Sequence, residues 1–487
     1  MNAPIRKTAW AILAAFLALI LATAWIQAVA GPGYRDDPRN PRLTAWRVGR
    51  ERGAIVTDDG VVTARSDPNP EDPQTFTRVY PPGDRYTHTV GFVSVLFGSR
   101  GLERSRQNDL VSHRDATISG VLNVVLGGDP RPRGLRLTID DTLQQAAVDA
   151  LGDQRGSIIA IDPATGAVLA SVSAPGYDPN TLIGLESASA GTSLENDPAQ
   201  PLLHRTIGTT YPPGSAFKIV TTAAALESGI AGPSTEFPDP VELELPGTTS
   251  TIHNYSDDVC LDGGTVTLEE AFVRSCNTTL AALGMRVGAE ALTTTAEAFG
   301  FNHEIPYDLP VIPSSMPAPP DYADDPAAIA QNSLGQRDVR ATPIQMALVA
   351  AAVANAGNIM IPYVVDAVFT HDGKIESMTE PTLWRRAISP ASAAVLSSLM
   401  EKAVISGTGR NAAVPDIRVA GKTGTAEVPG SAPDVWFIGF APVDPEPGER
   451  QIALAIVLED GGPGGETASG GSVAAPIAAT LFETYLR

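Results

Sequence analysis

The sequence predicts an α+β fold, one antiparallel sheet divided by a helical block, and three observations carry that prediction. Two β-rich runs, residues 156–161 and 167–172, flank Asp162-Pro-Ala-Thr-Gly166, whose Pro and Gly suit a tight turn. Residues 215–406 are mostly helix-forming. Three further predicted strands, residues 417–427, 434–441 and 451–458, follow in quick succession before an amphipathic segment at 472–486. Two strands, a helical block, three strands and a closing helix read as one sheet with the last helix covering a face.

From the N-terminus, residues 8–30 carry no charge. As a helix they would span about 34 Å, enough to cross a bilayer. Arg6 and Lys7 precede them. The expectation is a cytoplasmic tail at residues 1–7, a single-pass anchor at 8–30 and an extracytoplasmic remainder. Ala28-Val29-Ala30 before Gly31 also fits a signal-peptide cleavage site, which is the alternative; either way the bulk of the chain is exported.

Residues 31–134 are rich in Gly, Pro, Arg and Asp, with short alternating runs such as Gly53-Ala-Ile-Val56 and Gly60-Val-Val-Thr63 and a loop at Asp67-Pro-Asn-Pro-Glu-Asp-Pro73. They read as a small extended module without chemistry, and residues 135–487 as the main domain. A Tyr-Pro-Pro-Gly turn at Tyr80 continues as Asp84-Arg85-Tyr86, so it lacks the reactive residues that follow its second copy at Tyr211. His88 and His113 have no metal-ligand spacing and read as ordinary polar contacts. Residues 135–140 suit a strand and 141–151 a helix. Within the helical block the pattern marks helices at 268–274, 278–287, 343–356 and 390–404.

The net charge of −21, with no basic block past the first few residues, excludes a nucleic-acid partner. Cys260 and Cys276 are the two cysteines. On an exported chain they either pair, closing a short loop worth about 3 kcal/mol, or stay as buried thiols. His204, His253, His303 and His371 show neither metal-site nor triad spacing, and the acidic loop at 317–326, with Asp321, Asp324 and Asp325, lacks calcium-ligand spacing. No metal and no cofactor is expected.

Chemistry concentrates at Tyr211-Pro-Pro-Gly-Ser-Ala-Phe-Lys218. The prolines and glycine end whatever precedes, and Ser215 opens a predicted helix at 215–227. Three residues apart, Ser215 and Lys218 share a helix face. A serine needs a base to become a nucleophile, and a lysine serves once burial or a neighbouring cation lowers its pKa. At a helix start the serine N–H is also available to an oxyanion. Alone, S-x-x-K is a weak signal. The chain, however, uses 29 arginines and only five lysines, Lys7, Lys218, Lys374, Lys402 and Lys422. Lysine is kept at 218 and 422, where a removable proton is useful and arginine could not substitute. Ser275-Cys276-Asn277 falls on the link between two predicted helices, so Ser275 and Asn277 can face a cleft while Cys276 turns inward. Lys422-Thr-Gly-Thr425 lies in a β-rich run, with Gly424 where a strand would prefer a side chain; such a glycine marks close approach of another backbone or a ligand.

S-x-x-K, S-x-N and K-T-G in this order resemble the penicillin-binding protein and serine β-lactamase superfamily. Gly335-Gln336, Ala341-Thr-Pro-Ile-Gln-Met346 and residues 436–442 are similar to class B penicillin-binding proteins. Residues 51–55 and 80–103, with Gly101-Leu-Glu103, resemble the N-terminal module of the actinobacterial A-type members. Cys276 stands where the Ser-Asp-Asn form of the motif has aspartate, at a position that should not touch substrate. The resemblance implies a transpeptidase domain with a five-stranded antiparallel sheet covered by helices, a helical subdomain, an extended N-terminal module and a membrane anchor. It implies a D,D-transpeptidase that cross-links peptidoglycan stem peptides through a serine acyl-enzyme and is inhibited by β-lactam antibiotics. Ser215 would be the nucleophile, Lys218 its base, Ser275 a proton relay and Lys422 the source of the local field. Asn277 would hold a substrate amide and fix Lys218, and Thr423, Gly424 and Thr425 would form the substrate-binding strand. The N–H groups of Ser215 and Thr425 would make the oxyanion hole. No glycosyltransferase module fits between Gly31 and Gly134, so a membrane glycosyltransferase of the shape, elongation, division and sporulation family is the implied partner. A D,D-carboxypeptidase, a β-lactamase and a non-catalytic scaffold are the alternatives; no counterpart of a water-activating glutamate is evident, and the intact motifs oppose the scaffold.

Overall fold

The structure, a computed structural model, describes residues 2–31, 49–111, 131–322 and 325–487; His113 and Asp324 lie outside the described residues. The first helix, Asn2–Trp25, continues into a wider turn at Ile26–Ala30. It starts before the uncharged run and takes in Arg6 and Lys7, whose unbranched side chains suit a helix. Residues Ala3–Trp25 are long and apolar enough to cross a membrane.

The main-domain sheet is built from strands β1 (Gly156–Ile161), β2 (Val168–Ala174), β3 (Ala420–Ala426), β4 (Asp434–Ala441) and β5 (Ile452–Leu458). All are antiparallel in the order β3-β4-β5-β1-β2. Alternate residues feed two cores. Ile159, Ile161, Trp436, Ile438, Ala453 and Val457 pack with the helix Pro343–Ala354, which Thr342 caps and which is buried along nearly its whole length. Ile158, Ala160, Val435, Phe437, Leu454 and Ile456 pack with the helices Asp141–Leu151 and Ala475–Leu486. Covered on both faces, β1, β4 and β5 are largely apolar, which is why they stand out in the sequence, whereas β3 carries Lys422, Thr423 and Thr425.

The predicted helices lie where expected, at Leu268–Arg274, Asn277–Phe299, Pro343–Ala354 and Pro390–Ile405. The second runs past Val287 and is broken at Gly288, φ 81°. The helical block is not purely helical. It contains three short strand pairs and two further strands, Val365–Phe369 and Ile375–Met378. These last two join Gly134–Leu137, Ile55–Val56, Val62–Pro68 and Phe76–Val79 in one six-stranded sheet. Periodicity misses them because Ile375–Met378 is exposed throughout, and Val365–Phe369, its hairpin partner, finds its other neighbour far away in sequence at Gly134–Leu137.

Within the N-terminal region, Glu103 sits unexposed between two arginines, 2.7 Å from Arg52 Nε and 2.6 Å from Arg78 Nε. Burial works against its charge, but Arg52 and Arg78 outweigh it and hold the carboxyl below its ordinary range. The first Tyr-Pro-Pro-Gly has a docking role: beyond it Arg85 and Tyr86 both bond Asp141 at the head of the helix Asp141–Leu151. His88 makes the ordinary polar contact expected of it, Nε2 to Pro201 O at 2.7 Å. Asp325 caps the helix Pro326–Ser333 and pairs with Arg337, so it is engaged in structure. Glu103→Gln leaves two buried guanidiniums without their anion and is expected to cost about 3–5 kcal/mol in denaturant unfolding; a loss below about 1 kcal/mol would contradict this account.

Candidate active site

The turn before Ser215 is set by its own residues. Pro212 and Pro213 fix their φ angles, and Gly214 takes φ 52°, where a Cβ would lie 2.6 Å from Thr425 O. Gly214 N–H donates to Gly335 O at 2.9 Å. Ser215 opens a 3₁₀ turn, Gly214–Phe217, and the α-helix Lys218–Glu227 begins only at the lysine. This differs from the uniform helix expected at 215–227. The tighter turn eclipses positions three apart, so Ser215 and Lys218 still share one edge. Ser215 is half-buried while Lys218 has no exposed surface.

Lys218 Nζ does not spend its hydrogen bonds on Ser215. It donates to Ser275 O (2.8 Å), Ser275 Oγ (3.2 Å) and Asn277 Oδ1 (2.7 Å). Lys422 Nζ reaches the same Ser275 Oγ at 2.8 Å and Thr423 O at 3.1 Å. One hydroxyl therefore lies between two buried amines. Burial, and then the like charge of Lys422, push Lys218 well below its ordinary range. Burial brings Lys422 down to about 7. Loss of a proton is how such amines avoid a buried, unpaired charge.

The helix Leu268–Arg274 starts with a capping box between Thr267 and Glu270 and ends at Ser275, which takes left-handed φ 63°, ψ 38°. Cys276 is 1% exposed and bridges Cys260, while Ser275 and Asn277 are half-buried toward the cleft, the arrangement expected of the turn. Asn254 Oδ1 accepts from Asn277 N (2.8 Å) and Thr278 N (3.2 Å), and Asn277 Nδ2 donates to His253 O at 2.8 Å. Of the two tasks expected of Asn277, the hydrogen bond to Lys218 is in place; one hydrogen of its amide nitrogen goes to His253 O. Asp239 gathers the N–H groups of Cys260, Leu261, Asp262 and Gly263. Burial raises its pKa, but those four donors outweigh burial and leave it lowered. Sequence reasoning missed Asn254 and Asp239, whose bonds to Asn277 and to the Cys260 loop span more than 20 residues and leave no local pattern.

Strand β3 carries Lys422 to Thr425 along the open edge of the sheet. A Cβ on Gly424 would stand 2.7 Å from Pro213 O and 3.2 Å from Ala216 N, so another backbone does approach closely there. Thr423 is buried with Oγ1 against Thr408 Oγ1 at 2.7 Å, whereas Thr425 is half-buried, with Oγ1 accepting from Gly470 N at 3.4 Å. Among the described residues no group of His, Cys, Asp and Glu could hold a metal ion.

Residues 156–483 match the penicillin binding protein transpeptidase domain, and residues 52–134 match the penicillin binding protein A dimerisation domain. The chain belongs to the penicillin-binding protein transpeptidase family. This penicillin-binding protein is similar to the peptidoglycan D,D-transpeptidase PbpA of Mycolicibacterium smegmatis, 39% identical with 100% of this chain and 99% of the relative covered. It is similar to penicillin-binding protein A of M. tuberculosis, solved as a ceftriaxone acyl-enzyme complex: TM-score 0.83, 37% identity, 91% of this chain and 99% of that chain. A D,D-transpeptidase domain from Eggerthella lenta superposes with TM-score 0.78 at 35% identity, covering 90% and 98%. The α+β fold expected from the sequence is the fold of these penicillin-binding proteins.

Two outcomes follow for the site. With ε-¹³C-lysine labelling of the five lysines, the Lys422 resonance should titrate near pH 7, and Lys422→Gln should move the Lys218 midpoint upward by removing a like charge. A Lys422 midpoint close to the unperturbed value of about 10.4 would overturn the electrostatic account. Gly424→Ala should slow acylation by a β-lactam about 10- to 100-fold by displacing the turn. Gly232→Ala, where nothing lies within 4 Å of the added carbon, should leave the rate unchanged.

Proposed function

We propose that this penicillin-binding protein is a peptidoglycan D,D-transpeptidase using Ser215 as nucleophile. The observation that carries the assignment is the Ser275 hydroxyl shared by two buried lysines of lowered pKa, beside the turn that presents Ser215. Ser215 Oγ attacks the carbonyl of the penultimate D-alanine, and the neutral Lys218 amine takes its proton. The oxyanion is met by the N–H groups of Ser215 and Thr425, each such donor typically worth about 3 kcal/mol. Collapse breaks the amide bond, and the leaving amine receives its proton through Ser275, which touches both lysines. The amine of a second stem peptide then attacks the ester, forms the cross-link and returns Ser215 to its free state. Burial, with the like charge of Lys422 beside it, holds Lys218 neutral. Thr423, Gly424 and Thr425 line the edge strand where the substrate carboxylate docks, with Thr425 the more accessible hydroxyl. Asn277 fixes Lys218 and has one amide hydrogen left for substrate.

A β-lactam enters the same path, opening its ring on Ser215. The M. tuberculosis relative has been captured as ceftriaxone, imipenem and penicillin G acyl-enzymes, which supports this reading. The apolar N-terminal helix would anchor the chain once, with Arg6 and Lys7 on the cytoplasmic side and the catalytic domain outside. The polymerised strands would come from a membrane glycosyltransferase of the shape, elongation, division and sporulation family, since the motifs of this chain serve acyl transfer alone.

Intact-protein mass after benzylpenicillin should show one drug adduct on the wild type that persists for hours, and none on Ser215→Ala. Fast acylation followed by loss, with hydrolysed drug accumulating, would favour a lactamase. No adduct on either protein would overturn the mechanism.

A further inference from the structure

We propose that Glu459 is a positioning residue for acylation, holding through Tyr211 and Arg205 the turn that carries Ser215. The inference rests on the transpeptidase reading above and names what keeps its nucleophile in place.

Glu459 is the first residue after β5. Its Oε1 accepts from Tyr211 Oη at 2.7 Å and from Arg205 Nε at 2.8 Å, and its Oε2 pairs with Arg155 at 2.5 Å. Burial opposes its charge, but the Tyr211 hydroxyl and the Arg205 and Arg155 guanidiniums outweigh it and keep the carboxyl ionised. The Arg205 side chain is wholly buried, and its remaining donors fix Gln200 O at 3.1 Å and Ala199 O at 2.8 Å. No other carboxylate pairs with Arg205 among the described residues, so loss of Glu459 strands its charge.

The clamp bears on the nucleophile through three residues. Tyr211 exchanges backbone hydrogen bonds with Ala341 at 2.9 and 2.8 Å, and its ring meets Trp436 edge-on at 6.0 Å. Trp436 Nε1 donates to Pro212 O at 3.1 Å. Pro213 O is the atom that lies against Gly424. Two prolines leave this segment little freedom, so a displacement of Tyr211 passes on to Gly214 and Ser215. Lys218, by contrast, is held by Ser275 and Asn277. Nucleophile and base thus hang on two separate frames, and Glu459 sets the first of them. Nothing in the motifs reveals it: Arg205 and Glu459 are 254 residues apart.

The test measures benzylpenicillin acylation of the detergent-solubilised full chain by quenched-flow mass spectrometry, separating the pre-acylation binding constant from the acylation rate constant. Glu459→Gln should lower the rate constant about 10- to 100-fold with the binding constant within about twofold, the size expected of a misplaced nucleophile. Tyr211→Phe should act in the same direction, and the double variant should be no slower than Glu459→Gln alone. Glu103→Gln breaks a buried ion pair far from the turn and should reduce only the fraction of protein that acylates. A wild-type rate constant in Glu459→Gln, or an equal slowing in Glu103→Gln, would overturn the proposal while leaving the transpeptidase reading standing. Failure of the wild type to acylate would overturn both.

Discussion

Two lysines converge on one serine hydroxyl, and the rest of the catalytic domain is arranged around the cost of that convergence. Neither Lys218 nor Lys422 has a carboxylate partner among the described residues, and neither has exposed surface. Two buried ammonium groups across one oxygen would be prohibitive, so the site settles for lowered proton affinity. That state lasts only while the surrounding geometry denies both amines water and anions. The Asn277 carboxamide, the left-handed backbone at Ser275, the Cys260–Cys276 bridge and the Asp239-bound loop supply that geometry from one side.

From the other side the geometry is almost entirely main chain. Gly335 stands against Gly214, Gly214 against Thr425, Gly424 against Pro213, and Gly470 against Gly424. Four segments far apart in sequence meet at distances that a single Cβ would forbid. This contact sets the spacing between the turn that bears Ser215 and the strand that bears Thr425, and it does so with backbone, which has no rotamers to lose. Side chains such as Trp436 and Tyr211 then brace the outside of the contact.

Much of this was legible in the sequence because it is local or repetitive. The strands Gly156–Ile161, Asp434–Ala441 and Ile452–Leu458 are buried on both faces and announce themselves as largely apolar runs, while β3 is marked by its Lys-Thr-Gly-Thr motif. Ser215 with Lys218, Ser275 with Asn277, and Lys422 with Gly424 each stand within a few residues, and their order identifies the superfamily. Gly424 could be read as a close-approach site from its place in a strand, though not which backbone would approach. What stayed hidden either lacks a buried face or depends on long-range pairing. Strand Ile375–Met378 has no buried face to impose a period, and Asn254, Asp239, Arg205 and Glu459 look like any surface polar residue until the chain is folded. The 3₁₀ turn at Gly214–Phe217 escaped for a related reason: it is imposed by the packing of Gly214 on Gly335 and Thr425, not by propensity.

The six-stranded sheet has a mechanical consequence. Strand Val365–Phe369 follows closely on the buried helix Pro343–Ala354, yet its hydrogen bonds run to Gly134–Leu137 and through it to the N-terminal strands. A load applied to the N-terminal strands is therefore carried into the catalytic domain by a backbone ladder, not by a flexible tether. The narrowest rung of that ladder is Ile55–Val56, two residues long and the only link between Gly134–Leu137 and Val62–Pro68 in the described sheet. Tension along the ladder is concentrated there, at the strand that begins just past Arg52 and its buried partner Glu103, while Arg85 and Tyr86 share the load through Asp141.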